Sequence, residues 1–144
     1  MNMYDKPKYL LAGDSAVVVE FGNAIDPTAN NLVNQLMLNI ENMRPDGVLD
    51  MVPSYRSLMI YYDPLIKSFE QLVKELKGIK GLDNDSSKRE FRTVEIPTLY
   101  GGEMGPDLSF VAEHNGISID QVIERHSGAE YRVYMLGFSP GFPY

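Results

Sequence analysis

Cysteine is absent from all 144 residues, so the chain has no disulfide framework and no thiolate metal site. A cytoplasmic location is the expectation that fits this absence. Histidine is nearly as scarce. His114 and His126 are too far apart for an H-E-x-x-H site, and without cysteine a zinc site is not expected. Long apolar runs are missing as well: the start, Met1 to Lys8, is polar, and no run approaches the ~18 residues of a membrane span. Basic charge is short, with 13 Lys and Arg against 20 Asp and Glu, a net charge of −7. That balance argues against nucleic acid and against anionic membranes as partners. From Glu103 onward only Arg125 and Arg132 face six carboxylates, so a phosphate bound there would need backbone amides or groups from another chain. No glycine-rich loop is followed by Lys-Ser or Lys-Thr, which excludes a P-loop, and no G-x-G-x-x-G follows a strand. Gly137-Phe-Ser-Pro-Gly141 has the letters of a hydrolase elbow, but Pro140 removes the amide that would form half the oxyanion hole.

What is present is patterned for a small α+β protein. The length suits one ordinary domain or two small ones. Lys8 to Ala12 and Ala16 to Phe21 read as a hairpin around Gly13-Asp14-Ser15, with Val17 and Val19 on one face. Asp26 and Pro27 open a helix as N-cap and first residue, and an apolar stripe runs from Ala29 to Met43 until Pro45 and Gly47 end it. Gly47 to Val52 and Arg56 to Tyr62 form a second strand pair. Ser68-Phe-Glu-Gln71 is a capping box opening a second amphipathic helix, stopped by Gly81. The order ββαββα predicts a two-layer sandwich, two helices on one face of a four-stranded, mostly antiparallel sheet.

Leu82 to Arg89 is polar and charged, so residues 1–82 form the first domain, 83–90 a linker and 91–144 the start of a second domain. Phe91 to Ile96 alternates as its first strand. Helices follow at Leu108 to His114 and, after the capping box at Ser118, to about His126. Tyr131 to Leu136 alternates as another strand. Two glycines and two prolines then interleave with Phe138, Phe142 and Tyr144, which makes Gly137 to Tyr144 a shaped loop rather than a strand. Three rings at a strand end serve either as a ligand or partner surface or as a plug for a barrel end.

Tyr100, Gly101, Gly102, Arg132, Phe138, Phe142 and Tyr144 are the candidate binding residues. Arg132 can grip a carboxylate or phosphate bidentately, or it pairs with Glu130 on a strand face. Gly101 and Gly102 bring backbone amides close to an anion, or only turn the chain. His126, at a helix C-terminus, reads as a dipole-stabilised surface residue ahead of a catalytic base. No residue is assigned a bond-making role.

Three segments carry a family resemblance: Gly13-Asp-Ser-Ala-Val-Val-Val-Glu-Phe-Gly22, Val94-Glu-Ile-Pro-Thr-Leu-Tyr-Gly-Gly-Glu-Met-Gly-Pro-Asp-Leu108 and Gly137-Phe-Ser-Pro-Gly-Phe-Pro-Tyr144. In this order they resemble the family that holds the B component of 5-oxoprolinase, the kinase inhibitor KipI and allophanate hydrolase subunit 1. The resemblance implies a cyclophilin-like β-barrel as the second domain, of which this chain carries the opening part. It implies an ATP-dependent 5-oxoprolinase that hydrolyses 5-oxo-L-proline to L-glutamate, acting with a homologous C component and an unrelated A component. ATP would sit at a site shared with another component. The rivals it brings are a KipI-like inhibitor docking on a sporulation histidine kinase and a carboxyltransferase or allophanate hydrolase-like protein. With barrel strands left without neighbours, the second domain is expected to be completed by another chain, swapped in a dimer or poorly ordered, so a homo-oligomer is one further expectation.

Overall fold

The computed structural model describes residues 3–82, 92–137 and 139–144. The chain divides into two compact units, one of Met1–Arg89 with Val133–Tyr144 and one of Glu90–Arg132.

The first unit is built on strands β1 (Met3–Ala12), β2 (Ala16–Gly22), β3 (Val48–Pro53) and β4 (Ser57–Tyr62), with helices α1 (Pro27–Met43) and α2 (Phe69–Gly78). The sheet order is β1-β2-β4-β3 and every neighbouring pair is antiparallel. The α+β class and the ββαββα order expected from the sequence are both found. Alternation decides the faces: Val17, Val19 and Phe21 of β2 and Leu58, Ile60 and Tyr62 of β4 are buried together with Leu32, Val33, Leu36 and Ile40 of α1 and Leu72, Val73 and Leu76 of α2. Each such side chain contributes about 1.5–3 kcal/mol by leaving water. On the opposite face a cross-strand row, Leu10–Val18–Met59–Val52, runs over all four strands.

Local chemistry sets the element ends. The Asp26 carboxylate accepts from the amides of Thr28 and Ala29 at 2.7 and 3.2 Å, the N-cap that the sequence announces. Helix α1 stops on Arg44, whose φ of 45° turns the chain left-handed directly before Pro45, a residue that disfavours helix at the position before it. Ser68 and Gln71 form the expected reciprocal capping box of α2. That helix ends at Gly78 rather than at Gly81. Strand β1 begins five residues earlier than its alternation suggests, because a register shift between Met3 and Lys8 lets the polar run pair irregularly. Both outer strands carry devices that blunt an edge: Pro7 lies in β1, Pro53 closes β3, and the Asp50 carboxylate of β3 accepts from the Met51 amide at 2.8 Å.

The second unit holds a three-residue 3₁₀ turn, Gly102–Met104, and helices α3 (Leu108–Asn115) and α4 (Ile119–Ser127), which pack on each other. Gly116, at φ 64°, closes α3, and the Ser118–Gln121 capping box opens α4. Two sequence expectations fail here. Arg92 to Ile96 forms no strand, and Phe91 lies outside the described residues. Tyr131 to Leu136 is likewise no strand; only an isolated bridge joins Leu136 to Pro143. The physical reason is the same for both. An alternating segment becomes a strand only when a neighbour takes its backbone bonds, and among the described residues neither segment has a ladder. The expected linker, 83–90, lies outside the described residues. The expected second domain, 91–144, differs from the observed division in its last part, since Val133–Tyr144 belongs to the first unit.

Candidate functional site

The candidate residues fall into both units. Tyr100, Gly101, Gly102 and Arg132 belong to the second; Phe142 and Tyr144 belong to the first; Phe138 lies outside the described residues.

In the second unit the loop after Tyr100 is made by glycine. Gly101 has φ 77° and Gly102 φ 58°, left-handed angles that side chains rarely adopt. The loop closes through Gly105, whose amide donates to the Gly101 carbonyl at 3.1 Å, and a Cβ on Gly105 would stand 2.7 Å from the Gly101 nitrogen. That closure aims Tyr100 at α4. Its hydroxyl meets Nδ1 of His126 at 2.6 Å. The imidazole lies between two rings, with centroid distances of 5.7 Å to Tyr100 and 5.5 Å to Tyr131. Tyr131 also donates its hydroxyl to the His126 carbonyl at 3.3 Å. Arg132 follows directly and is exposed. His126, read from sequence as a surface residue stabilised by the helix dipole, is therefore the centre of this cluster. Its position in the last helical turn gave no hint of Tyr100, 26 positions earlier.

In the first unit the aromatic loop folds back on itself. Phe142 donates its amide to the Ser139 carbonyl at 3.0 Å across Pro140 and Gly141, and Gly141 has φ 79°, the pattern of a type II turn. Ser139 thus opens a β-turn, which agrees with discarding a nucleophile elbow there. Tyr144 returns to the chain through its amide, which donates to the Met135 carbonyl at 2.9 Å. Its ring sits 5.2 Å from Phe142 and 6.5 Å from Tyr55, and Tyr55 also meets Tyr134 edge-on at 5.7 Å. The rings form a local cluster with the β3–β4 turn; Tyr55 is a partner that the sequence did not single out. A separate pocket of about 410 Å³ opens between the end of α1 and β3, and none of the candidate residues lines it.

Among the described residues no group of three or more His, Asp or Glu could hold a metal ion, and no helix is long and apolar enough to cross a membrane.

Fold and site together define an α+β protein whose candidate polar groups are the His126 imidazole, the Tyr100 phenol at the start of a glycine loop, and the exposed Arg132 guanidinium. The chain belongs to the family described as carboxyltransferase domain, subdomain C and D, which matches residues 7–144. It is 36% identical over 142 residues to the B component of 5-oxoprolinase from Bacillus subtilis, covering 92% of this chain and 59% of that relative's length. The crystal structure of TTHA0988 is similar with a TM-score of 0.72 and 38% identity, over 89% of this chain and 24% of that one. The urea carboxylase of Kluyveromyces lactis, at 20% identity and a TM-score of 0.61 over 99% of this chain and 15% of that one, shares the fold. The family read from the three motifs is thereby upheld.

Proposed function

We propose that this chain serves as the B component of an ATP-dependent 5-oxoprolinase, working in the cytoplasm with the A and C components to open 5-oxo-L-proline to L-glutamate. The observation that carries the reading is the 36% identity over 142 residues to a relative of that name. The chain spans 59% of that relative's length, so the domain beginning near residue 91 is proposed to be the opening part of a barrel that the longer protein completes. Tyr100, Gly101, Gly102 and Arg132 are proposed to bind the anionic substrate, with Phe138, Phe142 and Tyr144 as a partner-facing loop.

The residues described fit ATP poorly. Gly101 and Gly102 lead into a three-residue turn rather than a helix of useful length, and no Lys-Ser or Lys-Thr follows them. ATP is therefore assigned to a surface completed by another component.

The test is co-expression with the A and C components, followed by assay of glutamate and phosphate release from 5-oxo-L-proline. Release that requires all three chains supports the reading. An active pair of the other two components that gains nothing from this chain refutes it.

A further inference from the structure

The Tyr100–His126 contact carries more than a packing role. A neutral imidazole has one N–H and one lone pair, and which nitrogen holds the proton follows from what the other one bonds. Here Nδ1 lies 2.6 Å from the Tyr100 hydroxyl, the short end of the hydrogen-bond range. A phenol is the stronger donor of the two and imidazole nitrogen the stronger acceptor, so the bond runs from Tyr100 to Nδ1. The proton of the ring is then on Nε2. Three separate parts of the chain hold the ring in place: its own helix α4, the glycine-closed loop behind Tyr100, and Tyr131, which reaches the His126 carbonyl. The His126 side chain is exposed, and Nε2 makes no hydrogen bond to a described residue. A ring oriented this firmly, with one donor left to solvent, is arranged as a fixed dipole aimed outward.

We propose that Tyr100 locks His126 as the Nε2–H tautomer, and that this N–H is a positioned donor for a carbonyl or carboxylate oxygen of a small ligand. The proposal rests on the reading of this unit as the substrate surface and gives that surface its hydrogen-bond donor. Tyr100 is a positioning residue, acting through the imidazole.

Long-range proton–nitrogen NMR of the imidazoles in the 144-residue chain, recorded above the histidine titration range, tests the first half. His126 should show the Nε2–H pattern, and Tyr100→Phe should move it towards the mixture of tautomers found in free imidazole. A wild-type ring already in that mixture, or protonated on Nδ1, overturns the proposal. Titration with 5-oxo-L-proline tests the second half. The wild-type His126 signals should shift, and His126→Gln, whose amide N–H reaches about as far as Nε2, should keep most of the affinity. His126→Asn, whose amide ends near the Nδ1 position, should lose about tenfold, the worth of one hydrogen bond. Amide spectra of both variants confirm that they fold. Equal affinity of all three proteins, or no response of His126 to the probe, overturns the donor role. The assembled complex separates this idea from the enzymatic one. Binding through His126 without 5-oxoprolinase activity sinks only the enzymatic reading, whereas full activity in His126→Asn sinks only this one.

Discussion

The side-chain amide of Asn30 donates to the carbonyl of Tyr134 at 3.3 Å, joining the start of α1 to the segment that leads into the aromatic loop, 104 positions later. The same amide donates to the Ser54 carbonyl at 3.4 Å, and its oxygen accepts from Asn34 at 3.2 Å, so a side chain 3% exposed is satisfied on both ends. Asn30→Ala would strand both carbonyls. It should cost about 1–3 kcal/mol in urea unfolding and speed hydrogen exchange at Tyr134 and Tyr144. An unchanged urea midpoint would show that the loop is held by its rings alone.

Two glycines at similar angles make a controlled comparison. Gly13 has φ 68° with open space around its Cβ position, while Gly47 has φ 80° and would bring a Cβ within 3.1 Å of Ile66. Gly13→Ala should lose about 1 kcal/mol through backbone strain. Gly47→Ala should lose about 2 kcal/mol because a contact is added to the strain. Thermal melts of the two variants check the order; the reverse ranking would discredit the packing argument.

Arg132→Ala addresses the proposed anion surface. In the assembled complex it should weaken 5-oxo-L-proline binding by about 1.5–3 kcal/mol, seen as a raised KM, while the melting temperature of the chain barely moves. A matched fall in folding stability would mark Arg132 as a structural residue.

Glu70, in the first turn of α2, is held below the usual carboxylate range by backbone hydrogen bonding and by the Ser68 hydroxyl, which donates to it at 2.8 Å. A lowered folded pKa means the unfolded chain binds the proton first as acid is added. The contribution is therefore full above the unfolded carboxylate pKa and lost as pH falls through the folded one. Glu70→Gln should lower stability slightly at neutral pH, leave it nearly untouched below the folded pKa, and so flatten the acid limb of a stability-versus-pH curve. A variant with an unaltered acid limb would contradict this.

The first unit was legible in the sequence because its signals are local. Asp26 before Pro27, Ser68 before Gln71, and the alternation of Val17, Val19 and Phe21 each need only a few neighbours to act. The strands expected at Phe91 to Ile96 and Tyr131 to Leu136 carry equally good alternation, yet alternation cannot supply the neighbour that a ladder requires. The site divided the same way. Gly101 and Gly102 announced a special turn, whereas the meeting of Tyr100 with His126, and of Tyr55 with Tyr144, depends on chain paths that no spacing rule encodes.

The strand order β1-β2-β4-β3 also dictates a sequence of events in time. The pairs β1–β2 and β3–β4 close over short turns, so each can zip within microseconds of its turn forming. The β2–β4 ladder is different, because α1 and β3 lie between its strands and their loop must be gathered before any bond forms. The barrier to assembling this unit therefore sits where Val19 meets Leu58 and Val17 meets Ile60. Helix α2 lies outside that loop, so its docking is expected to follow the closure. Weakening the central ladder slows the chain's arrival at its native state, while weakening α2 hastens its departure.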